Sequence, residues 1–218
     1  MKKCDYKYIL FDLDGTLTDP AVGVTNSIMY ALKRFNISVS NRKDLYKFIG
    51  PPLWDSFKKY YNFSEKQSQK AVEYYREYYK DKGIFENKVY PGIAELLENL
   101  KSSGKILVVA TSKPTVFAKQ ILEYFDIMKY FSYVSGSNLD GTRVNKDEVI
   151  AYALEKCKIT DLEKAIMIGD REHDIIGAQK TGIDSMGVLF GYGNRNELEC
   201  AGANYIADTV EDISTFLN

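Results

Sequence analysis

The sequence predicts an α/β protein built on a doubly wound parallel sheet, with an all-helical domain inserted near its N-terminus. Apolar runs such as residues 106–110 and 165–168 are hydrophobic on both faces, which is typical of buried parallel strands. Helical patterns alternate with these runs, as in proteins whose parallel strands are joined by crossover helices. Residues 20–89 lack a convincing strand pattern. We therefore assign residues 1–19 and 90–218 to the α/β core and residues 20–89 to the inserted domain.

Residues 8–11 form the first predicted strand, because the apolar run Tyr-Ile-Leu-Phe ends at a polar turn that contains glycine. In the insert, apolar residues spaced as on one helix face begin at Ile28. Tyrosines at helical spacing between residues 65 and 82 predict a helix whose rings pack against a neighbouring helix. Residues 48–54, which contain Gly, two prolines and Trp, interrupt the helical pattern. They form either a plain connector or a loop that faces the substrate.

The core resumes at Tyr90, where Pro91 stands in the first turn of a helix that ends at Gly104. Apolar runs and apolar helical stripes assign the later elements in the same way. In chain order these are strand 106–110, helix 115–124, strand 133–135, helix 145–157, strand 165–168, a helix ending near residue 181, strands 186–189 and 205–207, and a helix over 210–217.

The composition is typical of a soluble globular protein. Of 218 residues, 45% are hydrophobic and 27% charged, and the net charge is -1. This balance argues against nucleic acid or an anionic membrane as a partner. The three cysteines, Cys4, Cys157 and Cys200, are too widely spaced to predict a zinc site or a disulfide framework. No apolar run has the length of a signal peptide or a membrane span. We expect a cytoplasmic protein with reduced thiols.

The turn after the first strand carries two carboxylates, Asp12 and Asp14, separated by one residue. Open parallel sheets bind ligands beyond the carboxyl ends of their strands. Two carboxylates this close repel each other, and a bound Mg²⁺ would compensate for that repulsion. Asp12 could then attack a phosphorus atom while Asp14, if held protonated, delivers a proton to the leaving group. The alternative is an ordinary polar turn, which Asp and Gly favour for local reasons.

Two further positions suit the binding of a phosphate. Thr111 and Ser112 follow a predicted strand and offer hydroxyl and backbone N–H groups, although such residues also cap helices. Lys146 begins a predicted helix, where a cation opposes the helix dipole unless it has an anionic partner such as Asp12 or a phosphate. A solvated surface lysine is the alternative for this position. Lys113 is a lesser candidate for the same role.

A pair of aspartates, Asp170 and Asp174, follows the strand at residues 165–168. Their i, i+4 spacing predicts that both side chains lie on one helix face and converge on one cation, and oxygen ligands suit Mg²⁺. His173 points away from this pair, so we expect a structural role for it. Residues 136–143 have the glycine spacing of a phosphate-binding loop but lack its Lys-Ser/Thr, which argues against a nucleoside triphosphatase.

In their order along the chain, these clusters resemble the four motifs of the haloacid dehalogenase superfamily. The matching positions are Asp12 and Asp14 in the first motif, Thr111 and Ser112 in the second, Lys146 in the third, and Asp170 and Asp174 in the fourth. The order of elements, with its helical insert, looks most like the phosphoglycolate phosphatase-type branch. Residues 136–146, 169–177 and 191–193 resemble a bacterial group described as 5′-nucleotidase-like.

The resemblance implies a Rossmann-like core and a helical cap at residues 20–89, in which the loop at residues 50–54 helps to select the substrate. It further implies a Mg²⁺-dependent phosphomonoesterase that hydrolyses a small phosphorylated metabolite through an aspartyl-phosphate. The implied metal ligands are Asp12, the backbone carbonyl of Asp14, Asp170 and, directly or from behind, Asp174. The implied phosphate ligands are Thr111 or Ser112 together with Lys146.

Other activities are compatible with parts of this set. A phosphomutase of the superfamily, similar to β-phosphoglucomutase, would use the same carboxylates and differ in whether the cap delivers a sugar hydroxyl or admits water. A dehalogenase is disfavoured because its chemistry has no use for an acid at Asp14. A non-catalytic Mg²⁺-binding regulatory domain is the third alternative, and the complete set of nucleophile, acid, lysine and metal aspartates argues against it.

Overall fold

The computed structural model describes residues 5–217 and confirms the predicted α/β fold. Six strands form a parallel sheet, and helices cover it. In chain order the strands are β1 (Tyr8–Phe11), β2 (Thr18–Asp19), β3 (Lys88–Val89), β4 (Ile106–Pro114), β5 (Tyr133–Ser137), β6 (Ala165–Gly169), β7 (Asp184–Val188) and β8 (Tyr205–Ala207). The helices are α1 (Ala21–Lys33), α2 (Leu53–Tyr61), α3 (Glu65–Tyr78), α4 (Ile93–Ser102), α5 (Thr115–Tyr124), α6 (Lys146–Lys156), α7 (Glu172–Thr181), α8 (Arg195–Cys200) and α9 (Val210–Leu217).

The main sheet has the strand order β5-β4-β1-β6-β7-β8, with β1 at its centre. Leu10 of β1 lies between Val108 of β4 and Met167 of β6, and all three side chains are buried. A strand buried on both faces requires a continuous apolar run, which is why β1, β4 and β6 were readable from the sequence. The strand order changes direction beside β1, so the carboxyl ends of β1, β4 and β6 border the position where such sheets bind ligands.

The chain forms two compact units, residues 5–19 with 89–217 and residues 20–88. In the smaller unit α1, α2 and α3 are accompanied by a 3₁₀ segment, Arg42–Phe48. The predicted helix over residues 65–82 is α-helical only to Tyr78 and continues as a π-helical turn, Tyr79–Gly83. That turn brings Gly83 against α1, where a Cβ on Gly23 would lie 1.9 Å from the Gly83 carbonyl oxygen.

Several elements differ from the predictions. Residues 88–89, assigned to the helical insert, form β3 and pair with β2 in a two-stranded sheet. Strand β4 continues to Pro114, four residues beyond the apolar run, because its pairing with β5 resumes after a register shift. Helix α8 was not predicted, since its six residues bury only Leu198. No helix in residues 5–217 combines the length and apolar character that crossing a membrane requires.

Candidate active site

Asp12 stands directly after β1, and its carboxylate is buried with 2% of the residue exposed. Its backbone N–H donates to the carbonyl of Ile168 at 2.9 Å, which extends the pairing of β1 with β6 by one residue. Oδ1 accepts the backbone N–H of Leu13 at 2.7 Å and lies 2.9 Å from Nζ of Lys146. The end of the strand therefore fixes one carboxylate oxygen, and the second remains available for chemistry.

Lys146 begins α6 and is buried, which excludes the alternative of a solvated surface lysine. Its Nζ lies 2.9 Å from Asp12, 2.7 Å from Oδ1 of Asp174, and donates to the carbonyl of Ala110 at 3.2 Å. Burial alone would lower the pKa of this ammonium, but the Asp12 and Asp174 carboxylates outweigh burial and raise it. These anions also offset the unfavourable position of a cation at a helix N-terminus. Gly177 of α7 permits the approach, since a Cβ there would lie 2.9 Å from the Lys146 side chain.

Asp14 forms an ion pair with Lys113, whose Nζ lies 2.5 Å from Oδ2. Oδ1 of Asp14 is buried and has no hydrogen-bond partner among the described residues. Burial raises the pKa of Asp14 above its ordinary value, although the nearby Lys113 acts in the opposite direction. A carboxyl group with a raised pKa, two residues after Asp12, has the properties of a proton donor.

Asp170 follows β6, and Asp174 lies in the first turn of α7. Because α7 begins at Glu172, the two aspartates do not share a helix face, and the prediction on that point was wrong. The N-terminus of α7 is instead fixed by Asp174 itself, whose Oδ2 accepts the backbone N–H of Arg171 at 3.1 Å. Its other oxygen forms the ion pair with Lys146. The two aspartates come together because Asp170 directly follows β6 and Asp174 lies in the first turn of the helix that comes next.

The carboxylates of Asp12, Asp170 and Asp174 offer oxygens that all lie within 4.8 Å of one another. Oδ1 of Asp170 is buried without a hydrogen-bond partner among the described residues. Burial, followed by the charges of Asp174 and Asp12, raises the pKa of Asp170 well above its ordinary value. A buried carboxylate with an unused oxygen is expensive in free energy unless a cation or proton compensates it. This oxygen-only cluster fits a hard divalent cation.

Thr111 and Ser112 lie in the extended end of β4, so neither caps α5, which begins at Thr115. Thr111 is buried, and its hydroxyl accepts the backbone N–H of Lys113 at 3.3 Å. The carbonyl of Ser112 accepts the hydroxyl of Ser137 at 2.8 Å. The structure therefore places both residues at the same sheet edge as Asp12 and fixes their backbone through β5.

Comparison with known proteins identifies the family. A family model described as "Haloacid dehalogenase-like hydrolase" matches residues 9–188. The chain belongs to this family. A 5′-nucleotidase from Pseudomonas aeruginosa is 45% identical over 204 residues, which cover 93% of this chain and 92% of the relative. A phosphoglycolate phosphatase from Vibrio parahaemolyticus is 27% identical over 221 residues, covering 98% and 96%.

A solved structure supports the same assignment. The crystal structure of a predicted phosphatase from Clostridium acetobutylicum matches with a TM-score of 0.94 and 54% identity, covering 96% of this chain and 97% of that one. The family match and these relatives together show that the chain is a phosphatase of the haloacid dehalogenase-like family. They confirm the resemblance stated from the sequence motifs.

The loop after β7, which has no predicted role, holds Asp170 in this haloacid dehalogenase-like site. The backbone N–H of Tyr192 donates to Oδ2 of Asp170 at 2.7 Å, and the Tyr192 hydroxyl donates to Asp19. The glycines on either side permit the approach. A Cβ on Gly191 would lie 2.4 Å from Cβ of Asp170, and one on Gly193 would lie 1.9 Å from its carbonyl oxygen. The Gly-Tyr-Gly string after an apolar run was the available signal.

Two other sequence features take no part in the cluster. His173 is half-buried, and burial lowers its pKa below the ordinary value, which favours the neutral imidazole. The loop over residues 138–142 satisfies its own polar groups, since Asn138 donates to the Thr142 carbonyl and Thr142 donates to Asp140. These internal hydrogen bonds leave no phosphate cradle of the kind that a nucleoside triphosphatase uses.

Proposed function

We propose that the chain is a Mg²⁺-dependent phosphomonoesterase that hydrolyses small phosphorylated metabolites through an aspartyl-phosphate, an acyl phosphate formed on Asp12. The observation that carries this proposal is the buried Asp12 carboxylate, paired through Oδ1 with Lys146 beside the unpartnered oxygen of Asp170. An anionic nucleophile that approaches a phosphate dianion needs positive charge around both partners. Lys146 provides one such charge, and the three-carboxylate cluster fits the cation that would provide more.

In the first half of the reaction, an Asp12 carboxylate oxygen attacks phosphorus. The bond between phosphorus and the ester oxygen breaks, and the leaving oxygen takes the proton of Asp14. Thr111, Ser112 and Lys146 hold the phosphoryl oxygens. In the second half, water attacks the phosphorus of the aspartyl-phosphate, gives its proton to Asp14 and releases inorganic phosphate from Asp12.

Asp12 and Asp170, together with the backbone carbonyl of Asp14, are the residues that would hold Mg²⁺. When bound, the metal would neutralise charge on the transferring phosphoryl group and orient it toward Asp12. Both Asp174 oxygens already have partners, Arg171 and Lys146. We therefore propose that Asp174 is not a direct metal ligand and that it orients Lys146 through their ion pair.

Nucleoside 5′-monophosphates are the first candidate substrates, and phosphoglycolate is the second. The relative named 5′-nucleotidase is 45% identical over nearly the whole chain, against 27% for the relative named phosphoglycolate phosphatase. Selection between them belongs to the helical unit. Its loop at residues 50–54, where two prolines precede the single Trp of the chain, is our candidate selecting segment.

The test is release of inorganic phosphate from nucleoside monophosphates, phosphoglycolate and sugar phosphates, each with Mg²⁺ and with EDTA. We expect hydrolysis with Mg²⁺, loss of activity with EDTA and restoration when Mg²⁺ is returned in excess. Conversion of a sugar phosphate to its isomer without phosphate release would indicate a mutase instead. A complete absence of turnover across the panel with Mg²⁺ would contradict the proposal and favour a binding domain.

A further inference from the structure

Two buried lysines contact the two aspartates of the turn after β1, one lysine on each aspartate. Lys146 pairs with Asp12, and Nζ of Lys113 lies 2.5 Å from Oδ2 of Asp14. The Lys113 and Asp14 side chains are only 6% and 13% exposed, so this is not a solvated surface pair. The proposed mechanism assigns a task to Lys146 and none to Lys113.

The backbone of Lys113 is held in place by β5. The pairing of β4 with β5 passes from Ala110–Ser135 to Pro114–Ser137, so the intervening β4 residues leave the regular ladder. Irregularities of this kind beside active sites redirect side chains. Gly136 packs directly beneath, where a Cβ would lie 2.5 Å from the Lys113 carbonyl oxygen. Lys113 thus projects from an anchored strand end.

This contact makes the two oxygens of Asp14 unequal. Oδ2 is engaged by the Lys113 ammonium, whereas Oδ1 is buried without a hydrogen-bond partner among the described residues. An oxygen bound to an ammonium is the poorer place for a proton, since the ammonium can only donate. The transferable proton therefore belongs on Oδ1.

We propose that Lys113 is the positioning residue of the acid–base step, holding Oδ2 of Asp14 so that Oδ1 carries the proton to and from the reacting oxygen. The inference rests on the proposed function and deepens it. As the ester bond breaks, the proton moves from Oδ1 to the leaving oxygen, and Lys113 neutralises the carboxylate that remains. When water attacks the aspartyl-phosphate, its proton returns to Oδ1.

Leaving-group dependence tests this role. The full chain with Mg²⁺ is assayed on a nucleoside 5′-monophosphate, whose alkoxide needs a proton, and on p-nitrophenyl phosphate, whose phenolate departs without one. For Lys113→Met we expect kcat/KM to fall by about 10²-fold on the nucleotide and by less than about threefold on the aryl ester. Because kcat/KM reports the steps up to departure of the leaving group, it isolates the proton-donating half.

The second half of the reaction gives an independent readout. Hydrolysis of the aspartyl-phosphate still needs Asp14 as a base, so Lys113→Met should release about one equivalent of nitrophenol per active site in a burst before a slow steady rate. Lys113→Gln, which keeps a donor but not the charge, should lie between parent and Lys113→Met. Its melting temperature is compared with that of the parent, so that a folding defect is recognised.

Two matched variants distinguish a failure of the role proposed for Lys113 from a failure of the proposed phosphatase function. Asp14→Asn should reproduce the leaving-group pattern of Lys113→Met, whereas Lys146→Met should lose activity equally on both esters because Lys146 contacts the nucleophile. Equal losses for Lys113→Met on both esters, or no loss on either, would overturn the inference while a working parent leaves the proposed function intact. A parent that hydrolyses neither ester would overturn the function and the inference with it.

Discussion

Gly15 and Asp170 meet so closely that a Cβ on Gly15 would lie 2.2 Å from Oδ2 of Asp170. Gly15 belongs to the turn that carries Asp12 and Asp14, and its φ of +86° lies in the left-handed region that glycine tolerates. The turn after β1 therefore packs against the residue after β6 without a side chain between them. This contact sets the spacing of the carboxylate cluster.

Gly15→Ala is expected to destabilise the fold and to abolish Mg²⁺-dependent hydrolysis. The strained φ costs about 1–2 kcal/mol, and relief of the collision with Asp170 adds about 1–3 kcal/mol. Urea unfolding in EDTA measures the loss of stability, and phosphate release measures the loss of hydrolysis.

Gly104→Ala is the matched control for this change. Gly104 has a similar φ of +84°, but a Cβ there would meet nothing within 4 Å. It should therefore show the cost of strain alone, with hydrolysis unchanged. Equal destabilisation by the two substitutions would show that the close contact with Asp170 does not constrain the site.

The sequence was sufficient to predict those parts of the site that lie next to buried strands. Asp12 and Asp170 follow apolar runs directly, so the side chains at the ends of β1 and β6 were predictable once both strands were assigned. The pairing of Lys113 with Asp14 was not predictable, because it depends on a register shift against β5 that no local pattern encodes.

The contact of Tyr192 with Asp170 and the start of α7 were also not predictable from local sequence patterns. The contact of Tyr192 with Asp170 requires that β7 lie beside β6, which is a property of the sheet order and not of either segment. The start of α7 depends on the hydrogen bond from Arg171 to Asp174, so helical periodicity alone extended that helix too far toward Asp170.

Asp12→Asn should lower kcat by more than about a thousandfold, because an amide cannot act as the nucleophile. The fold should persist, since the amide is similar in size and its carbonyl can still accept the Leu13 N–H. Rapid acid quenching followed by peptide mapping should find phosphate on Asp12 in the parent and in Asp14→Asn, and none in Asp12→Asn. Activity within about tenfold of the parent would remove Asp12 from the role of nucleophile.

Lys146→Met should destabilise the protein by about 3–5 kcal/mol at pH 7 in EDTA, because it leaves Asp12 and Asp174 without their buried cation. The pKa of Lys146 is raised in the folded state, so its contribution is complete below the ordinary lysine pKa and is lost only as the pH rises above it. Measurements at pH 7 therefore report the whole effect.

Lys180→Met removes a lysine from an exposed ion pair, in which Nζ lies 3.4 Å from Asp147. Its effect should stay within about 0.5 kcal/mol of zero. If Lys146→Met destabilised the protein as little as this control, protonation of Asp12 or Asp174 would have to compensate for the lost ammonium. Repeating the unfolding at pH 8 and pH 6 would reveal that relief as a dependence on pH.

Asp170→Asn should have opposite effects on the metal-free and metal-bound protein. The folded-state pKa of Asp170 is raised, so the ionised carboxylate opposes folding at pH values above its unfolded pKa, and more strongly as the pH rises. The amide removes that penalty while its oxygen can still accept the Tyr192 N–H. In EDTA at pH 8 we expect the melting temperature to rise by about 2–4 °C for each kcal/mol gained.

Added Mg²⁺ should reverse the ranking, since binding to the folded state stabilises the parent in proportion to ln(1 + [Mg²⁺]/Kd) and Asp170→Asn has lost a ligand. Asp140→Asn is the control with the opposite sign: hydrogen bonds from Thr142 lower the pKa of Asp140, so its amide should not stabilise the metal-free protein. A parent-sized Mg²⁺ shift in Asp170→Asn would remove Asp170 from the metal site. A fall of its melting temperature in EDTA would mean that the Asp170 charge is already compensated within the fold, by Arg171 or by a proton.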